Sequence, residues 1–437
     1  MNEKRLLFIL ATVQFCHIID FMIIMPLGKT IMEVFTITPG QFSRVVTAYA
    51  AAAVVGNLVS TAVIDRFDRR TALLFLFTGF AIGTLACAFA PSYEVLLISR
   101  FGTGLFGGTL GALVLAIVGD VIPLERRGAA MGWVMTAFSA ASVAGVPAGI
   151  YIAADYGWQI PFIVVAALSA GFITLSYFLI PPLRGHLAEA SSPTPAPATA
   201  PLLVNTAEER QFRAEGALDD IAQQPTFQMS QRSQRRDSVF LPFKRILEDA
   251  NQRAALLFTL ALMLGHFTII PFIAPYMQLN IGFADKQVSL IYLCGGLLTV
   301  VLLPLFGKLA DRFGRLRVFT IASVFALFSI FALTNLETDS ITVALLVSSS
   351  FFVVASGRSV PATTMITSVV RPENRGSFMS IRQSVNELAL AVSSFVAGLI
   401  ITEAPDGSLQ HYDWVGYFTM GMSLVAVYAA SRIKAVA

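Results

Sequence analysis

Long apolar runs recur along the chain and are separated by short polar stretches. A helix needs about 20 mostly apolar residues to cross the ~30 Å hydrocarbon core of a bilayer. Twelve segments meet that requirement and predict spans at residues 6–27, 42–64, 71–90, 93–118, 128–152, 158–181, 254–276, 287–309, 317–336, 341–365, 377–401 and 413–431. Because a helix satisfies its own backbone polar groups within lipid, the pattern predicts an all-α membrane protein with twelve transmembrane helices.

The composition agrees with a chain that folds in lipid. Of its 437 residues, 56% are hydrophobic and 13% are charged, whereas soluble domains carry roughly 25% charged residues. The three cysteines, Cys16, Cys87 and Cys294, lie in apolar runs without ligand-type neighbours. The sequence therefore predicts the lipid bilayer as a partner and predicts no disulfide framework, metal site or cofactor.

Charged residues are distributed unevenly over the predicted loops. With the N-terminus inside, the inner helix ends and loops collect most basic residues: Lys4, Arg5, Arg66, Arg69, Arg70, Arg126, Arg127, Lys308, Arg312, Arg315, Arg317, Arg371, Arg375, Arg432 and Lys434. The outer loops are mainly acidic, with Glu33, Asp155, Asp285, Glu337, Asp339, Glu403 and Asp406. This asymmetry follows the positive-inside rule, so it predicts a multi-pass protein of the cytoplasmic (inner) membrane with both termini in the cytoplasm.

The chain divides at its middle. Residues 185–240 are rich in Ser, Pro, Ala and Gln, and such a segment is typical of a disordered cytoplasmic linker. Residues 241–253 are amphipathic and predict an interfacial segment. The predicted domains are therefore an N-terminal six-helix bundle (1–184), the linker, the interfacial segment and a C-terminal six-helix bundle (254–437).

The two predicted bundles share an internal repeat. Three pairs of segments match at offsets of 249, 246 and 248 residues, namely His17–Pro26 with His266–Pro275, Asp65–Arg70 with Asp311–Arg317, and Glu125–Gly128 with Glu373–Gly376. Duplicated halves of this kind predict a pseudo-symmetric fold with a cavity between the halves, near the middle of the bilayer.

Residues Gly307–Arg315 (GKLADRFGR) lie in the turn between spans eight and nine. They resemble the loop signature of the major facilitator superfamily, and the first copy at Asp65–Arg70 departs from it, with Thr61 and Asp68 at two glycine positions. The resemblance covers the whole chain. It implies a cytoplasmic gate latched by ion pairs, with Asp65, Arg66, Arg69 and Asp120 in the first half and Asp311, Arg312 and Arg315 in the second. The counterpart of Asp120 falls near Ser368, which predicts a weaker second latch, and Gly307 and Gly314 are expected to relieve crowding between helices.

Glycines in spans four and five predict close helix packing. Gly104 and Gly108 are four residues apart and share one helix face, and Pro147 stands between Gly145 and Gly149, where it is expected to bend span five. Together with an acidic first span and an arginine in span four, this segment resembles the drug and sugar efflux branch of proton antiporters. Val146 separates the glycine and proline that are usually adjacent, as in arabinose-efflux-like members.

Two charges inside the first half are the main candidates for chemistry. Arg100 lies in span four, where a charge costs on the order of 3 kcal/mol on insertion scales. Asp20 lies about 14 residues into span one and at a similar depth, so it is the natural partner. We predict Asp20 as the protonatable residue, Arg100 as its modulator and His17, three residues back on the same face, as a third member. A structural ion pair is the alternative.

A second set of polar residues lies in the second half. Arg358, Arg382, Glu387 and His266 are predicted either to contact substrate or to pair among themselves, and the histidine has packing as its alternative role.

The resulting functional hypothesis is a proton-coupled exporter of a small amphipathic or sugar-like molecule, working by alternating access. Its expected partners are a small-molecule substrate and protons, without nucleic acid, and the family implies a monomer. An uptake symporter or uniporter uses the same residues, and a non-transporting membrane sensor is a further alternative. Enzyme chemistry is not expected, because the sequence shows no nucleophile–base set, metal cluster or phosphate loop near either membrane face.

Overall fold

The computed structural model describes residues 3–63, 67–183, 248–370 and 375–434. The first half contains helices α1 (Glu3–Ile23), α2 (Gly28–Phe35), α3 (Pro39–Val63), α4 (Arg69–Ala88), α5 (Tyr93–Val121), α6 (Leu124–Ala140), a π-helical turn (Ala141–Gly145), α7 (Val146–Tyr156) and α8 (Gln159–Leu179). The second half contains α9 (Ala250–Phe267), α10 (Ile270–Leu279), α11 (Asp285–Phe313), α12 (Arg315–Thr334), α13 (Ile341–Gly357), α14 (Ser359–Thr367), α15 (Arg375–Ile400), β1 (Thr402–Glu403), β2 (Leu409–Gln410) and α16 (Tyr412–Ser431).

Twelve of the segments in the described ranges are helices long and apolar enough to cross a membrane, which confirms the predicted fold class. Besides span five, which is described below, three predicted spans differ from a single helix of the predicted length. Span one ends at Ile23 and α2 begins separately at Gly28, span seven is formed by α9 and α10, and span ten by α13 and α14. Proline explains the last two breaks, because Pro271 and Pro361 lack the backbone N–H that continues a helix.

The helix ends define two membrane faces. We call the face at which α1 begins the basic face, since Arg69, Arg126 and Arg432 lie at helix ends there. The opposite face, with Asp155 and Glu337, is called the acidic face. A two-stranded antiparallel hairpin, in which Thr402 pairs with Gln410, forms part of the acidic face between α15 and α16.

The two halves are joined on the side of the acidic face. The Ser43 hydroxyl on α3 donates a hydrogen bond to the Ser394 carbonyl on α15, and the Ser289 hydroxyl on α11 donates to the Pro147 carbonyl over 2.8 Å. The largest apolar cluster contains residues of both halves and lies on this side, whereas two further clusters lie within one half each. The structure is therefore closed toward the acidic face.

Span five combines α6, the π-helical turn and α7, and Pro147 follows directly on the turn. A Cβ atom added at Gly145 would lie 2.6 Å from Ile19 Cδ1, and one at Gly149 would lie 2.3 Å from Ile23 Cδ1. The glycines therefore allow α7 to pack closely on α1, and the irregular turn accompanies the proline at the predicted bend.

The predicted linker at 185–240 and most of the predicted interfacial segment lie outside the described residues. The last residues of the interfacial segment are described, and from Ala250 onward they belong to the seventh span. The Asp249 side chain caps α9 by accepting hydrogen bonds from the backbone N–H groups of Asn251 and Gln252. Residues 250–253 thus form the first turn of α9.

Candidate proton-coupling site

Asp20 and Arg100 form an ion pair in the interior of the first half. Asp20 Oδ2 lies 2.8 Å from Arg100 Nη1, and both side chains are 0% exposed. The Thr84 hydroxyl on α4 donates a hydrogen bond of 3.0 Å to Asp20 Oδ1. Three helices thus converge on one carboxylate, as the matching depths of the two charges in the sequence had suggested.

Tyr49 on α3 is a central member of this cluster that the sequence analysis missed. The Arg100 guanidinium carbon lies 4.5 Å from the centroid of the Tyr49 ring, at a distance typical of a cation–π contact. The Tyr49 hydroxyl lies 2.9 Å from His17 Nδ1. Tyr49 is the aromatic residue within an alanine-rich stretch of α3, and that contrast is the sequence signal that could have identified it.

His17 contacts Asp20 only indirectly. Its ring pairs with Tyr49, and the two rings are nearly parallel with centroids 6.5 Å apart. The predicted group of His17, Asp20 and Arg100 is therefore connected through Tyr49, and α1 and α3 both contribute to it. The carboxylate is thus linked to the half-buried imidazole by an ion pair, a cation–π contact and one hydrogen bond in sequence.

Replacement of Tyr49 by Phe tests this connection. The ring remains beneath Arg100, while the hydrogen bond to His17 is lost. We expect the fold and the thermal unfolding temperature to change little, since one hydrogen bond contributes about 1 kcal/mol. We expect proton-driven transport to fall several-fold, as measured in energised vesicles. Unchanged transport would show that the His17–Tyr49 contact has no role in coupling.

Glycines bring α3 and α5 close enough for the cluster to form. A Cβ added at Gly104 would lie 2.2 Å from the Tyr49 carbonyl oxygen, and one at Gly108 would lie 2.6 Å from Ala53 Cα. Both contacts are to backbone atoms, so the two helices touch along this face. The span-four glycines thus pack against the backbone of α3, as predicted, and the contact at Gly104 fixes the position of Tyr49.

An ion pair also lies at the basic face of the first half. Arg69 Nε lies 2.8 Å from Asp120 Oδ2, with side-chain exposures of 7% and 34%. Asp68 caps α4 by accepting from the Arg70 backbone N–H, and it accepts a second hydrogen bond, of 2.8 Å, from the backbone N–H of Leu183. The beginning of α4, the end of α5 and the segment after α8 are therefore tied together. Asp65 and Arg66, also predicted for this latch, lie outside the described residues.

Substitution of Asp120 by Asn tests the energetic weight of this pair. The largely buried Arg69 loses its carboxylate, and removal of a charge-assisted hydrogen bond costs about 1.5–3 kcal/mol. We expect a lower thermal unfolding temperature of the detergent-purified protein. The matched control is Arg126→Gln, which breaks the exposed pair with Glu3 (63% and 40% exposed) and should cost less than ~1 kcal/mol. Equal effects of the two substitutions would contradict a special role for the Arg69–Asp120 pair.

The second copy of the loop motif differs from the first. Asp311, Arg312 and Arg315 are exposed, and none of them forms an ion pair within the described residues. Gly307 does not mediate a tight helix contact, since an added Cβ would meet only Val360 Cγ1 at 3.8 Å. Gly314 has φ +92° and separates α11 from α12, so its role is to form the turn rather than to pack.

The polar residues of the second half do not pair among themselves. Arg358 is fully buried, and its guanidinium donates hydrogen bonds of 2.9 Å to the Ser423 hydroxyl and to the Gly265 carbonyl. His266 packs in parallel with Phe351, with centroids 6.3 Å apart. Both residues are thus engaged inside the second half, and of the two predicted alternatives for Arg358 the pairing with other residues of this set is not formed among the described residues.

Glu387 and Arg382 on α15 are placed differently. Both are half-buried, and Glu387 accepts a hydrogen bond of 2.8 Å from the Gln383 amide on the same helix. Among the described residues, the Arg382 Nε atom has no hydrogen-bond partner. α15 therefore presents one acid and one base that no ion pair in the described chain neutralises.

Comparison with known proteins identifies the family to which this fold belongs. The model of the Major Facilitator Superfamily matches residues 10–248 and 255–434. The chain belongs to the major facilitator superfamily. Its family and its fold, with twelve candidate membrane spans in the described ranges, are those of transporters.

Relatives and solved structures agree with this assignment. The chain is 29% identical over 136 residues to the inner membrane transport protein YdhP of Escherichia coli, an alignment that covers 31% of the chain and 35% of YdhP. It is 28% identical over 174 residues to a probable sugar efflux transporter of Mannheimia succiniciproducens, covering 40% and 44% of the two chains. These alignments thus span less than half of either relative. The fold resembles a D-xylose–proton symporter with a TM-score of 0.71 at 15% identity, covering 100% of this chain and 99% of that one, and the nucleoside transporter NupG with 0.69 at 16% identity, covering 99% and 100%.

Proposed function

We propose that this carrier exports a small amphipathic or sugar-like solute in exchange for protons. The observation that carries the proposal is the Asp20–Arg100 pair, which lies in the middle of two spans at 2.8 Å and is wholly buried. A membrane interior tolerates such charges at a high cost, and they mark ion pathways and proton relays in transporters. The similarity to a probable sugar efflux transporter of Mannheimia succiniciproducens supports the efflux direction and the sugar-like solute.

The proposed cycle uses two states of the Asp20 carboxyl group. When ionised, the carboxylate is neutralised by Arg100 and accepts the Thr84 hydroxyl. When protonated, it no longer balances the guanidinium, which stays over the Tyr49 ring and becomes available to a solute. A proton from one side of the membrane thereby changes the charge presented to the region between the halves.

Alternating access would follow from rocking of the two halves. The contacts between α3 and α15 and between α7 and α11 close the acidic face in this structure, and they would have to separate for release on that side. We propose that the charged residues at the basic end of the first half, among them the Arg69–Asp120 pair that is already formed here between α4 and α5, help to hold the basic face closed in that state. Glu387 and Arg382 are the members of the second-half set that we propose to contact solute, because neither is sequestered in an ion pair.

The direction of transport depends on which face is cytoplasmic. The excess of lysine and arginine supports a cytoplasmic basic face with both termini on that side. The proton would then enter Asp20 from the acidic face as solute leaves there. We propose that the protein acts as a monomer, since both halves of the site come from one chain.

Transport by everted membrane vesicles tests the proposal. The vesicles are energised with an inwardly acidic pH gradient, and a pentose, an alkyl thioglycoside and an amphipathic amine are offered while a pH-sensitive dye reports the gradient. An exporter accumulates one of these solutes in everted vesicles and discharges the gradient, which vesicles without the protein do not. Accumulation by right-side-out vesicles alone would identify an uptake symporter, and flux that ignores the gradient would identify a uniporter. Absence of any flux with a larger solute panel would favour the sensor hypothesis.

A further inference from the structure

A pocket of about 430 Å³ opens at the basic face, away from the proposed transport site. Its walls are formed by Arg5 on α1, Arg70 on α4, and residues 177–181 at the end of α8. Arg70 is the second residue of α4, and Ile180 directly follows α8. Because all three helices begin or end here, the pocket lies at the level of the lipid headgroups rather than in the hydrocarbon core.

The arginines in this pocket have hydrogen-bonding capacity to spare. The Arg70 guanidinium donates to the Tyr177 carbonyl, and its carbon lies 5.0 Å from the centroid of the Tyr177 ring. Its Nε atom is buried and has no hydrogen-bond partner in the part of the chain that the structure describes. Arg5 is exposed, and neither arginine forms an ion pair within the described residues.

The stacking contact holds the Arg70 guanidinium in one orientation. A fixed planar fork is suited to the oxygen atoms of a phosphate group, which accept two parallel N–H bonds. The described lining residues include two cations and no carboxylate, which favours an anion in this pocket rather than a cation or a neutral group. Arg432 provides an internal comparison, because it lies 5.0 Å from the Tyr428 ring at the same face but donates to the Tyr428 hydroxyl instead.

The apolar surroundings indicate what kind of phosphate compound fits. Tyr177 is 58% exposed and Phe178 is 75% exposed, at the end of a helix whose exposed side faces lipid. An occupant with a phosphate at the helix ends and apolar chains along these rings would bury both parts in suitable surroundings. A free phosphate ion would leave the aromatic surface without a partner.

We propose that this pocket binds the headgroup phosphate of an anionic phospholipid, with its acyl chains lying over Tyr177 and Phe178. Arg70 supplies the oriented fork, and Arg5 supplies a second positive charge from the other wall. The lipid would bridge α1, α4 and α8 at the face where the Arg69–Asp120 pair also lies. The site is independent of the identity of the transported solute.

Lipid retention by the purified full chain tests the proposal. The protein is delipidated in neutral detergent, mixed with either phosphatidylglycerol or phosphatidylcholine of identical acyl chains, and examined by native mass spectrometry. The wild-type protein should retain one phosphatidylglycerol in preference to phosphatidylcholine. Arg70→Gln should reduce that retention about tenfold and Arg5→Gln several-fold, whereas Arg432→Gln should leave it unchanged. Arg70→Lys, which keeps the charge without the fork, should give an intermediate value.

Three outcomes would overturn the proposal. One is equal retention of the two lipids by the wild-type protein, and another is equal loss for Arg70→Gln and Arg432→Gln. The third concerns competition by inorganic phosphate and by glycerol phosphate, both added at millimolar concentration. If both remove the lipid preference at the same concentration, the pocket is an anion site without lipid specificity.

Size-exclusion profiles and unfolding temperatures of the variants identify any loss of lipid retention that results from misfolding. Arg5→Gln alters an exposed side chain, so it tests the site even if Arg70→Gln fails to fold.

Discussion

Replacement of Asp20 by Asn should abolish proton-driven transport, with a fall of at least about 100-fold in the initial rate of gradient-driven accumulation, the lower end of what a positioned proton-transfer group contributes to a rate. Asn has nearly the shape of Asp and can still accept the hydrogen bond from Thr84, but it cannot bind a proton in the relevant range. The solute therefore loses its link to the gradient. Accumulation in energised everted vesicles is the measurement.

The same substitution leaves Arg100 buried without a counter-charge. Removal of one partner of a buried ion pair costs about 3–5 kcal/mol, so a lower unfolding temperature is also expected. Solute counterflow separates the two effects, because exchange of labelled for unlabelled solute needs no net proton movement. A folded Asp20→Asn protein should retain counterflow while losing gradient-driven accumulation.

A matched control uses an acidic residue outside the cluster. Asp339 is exposed at the acidic face, and Asp339→Asn should leave both accumulation and counterflow intact. If Asp20→Asn accumulates solute as well as Asp339→Asn does, Asp20 is not the proton carrier and the ion pair is structural. Loss of counterflow together with accumulation in a folded protein would place Asp20 in solute binding instead.

Replacement of Gly104 by Ala should destabilise the protein strongly. The added methyl group would lie 2.2 Å from the Tyr49 carbonyl oxygen and 2.7 Å from Tyr49 Cα. Neither atom is the mobile end of a side chain, so α3 and α5 must separate. Overpacking of this kind typically costs 1–3 kcal/mol and sometimes more, and a value of about 3 kcal/mol is expected here, measured as a fall in unfolding free energy or temperature.

Gly102 on the same helix is the control. An added Cβ there meets nothing within 4 Å, and alanine is favoured over glycine in a helix by about 1 kcal/mol. Gly102→Ala should therefore be neutral or slightly stabilising. Since Gly104→Ala also shifts Tyr49 beneath Arg100, surviving protein should show impaired proton coupling. Equal stability of the two variants would mean that α3 and α5 can separate to accept the methyl group with little loss of unfolding free energy.

The sequence determined the membrane class, the number of spans and the duplication, because length, hydropathy and charge bias are local properties that the bilayer imposes on each segment separately. It also placed Asp20 and Arg100 at a common depth, since helical rise converts residue number into distance from a membrane face. The motif at Gly307–Arg315 indicated the family for the same reason, as it is contained in one short turn.

Only the tertiary structure decided which side chains meet. Rotation of each helix about its axis places Tyr49 between His17 and Arg100 and turns Arg358 toward Ser423 instead of Glu387, and hydropathy does not define that rotation when all faces of a span are apolar. The contact of Gly104 with a backbone carbonyl and the weak contact of Gly307 likewise depend on the approach of a neighbouring helix. Helix packing in lipid is decided by shape and by a few hydrogen bonds, and these are properties of pairs of segments that no single segment encodes.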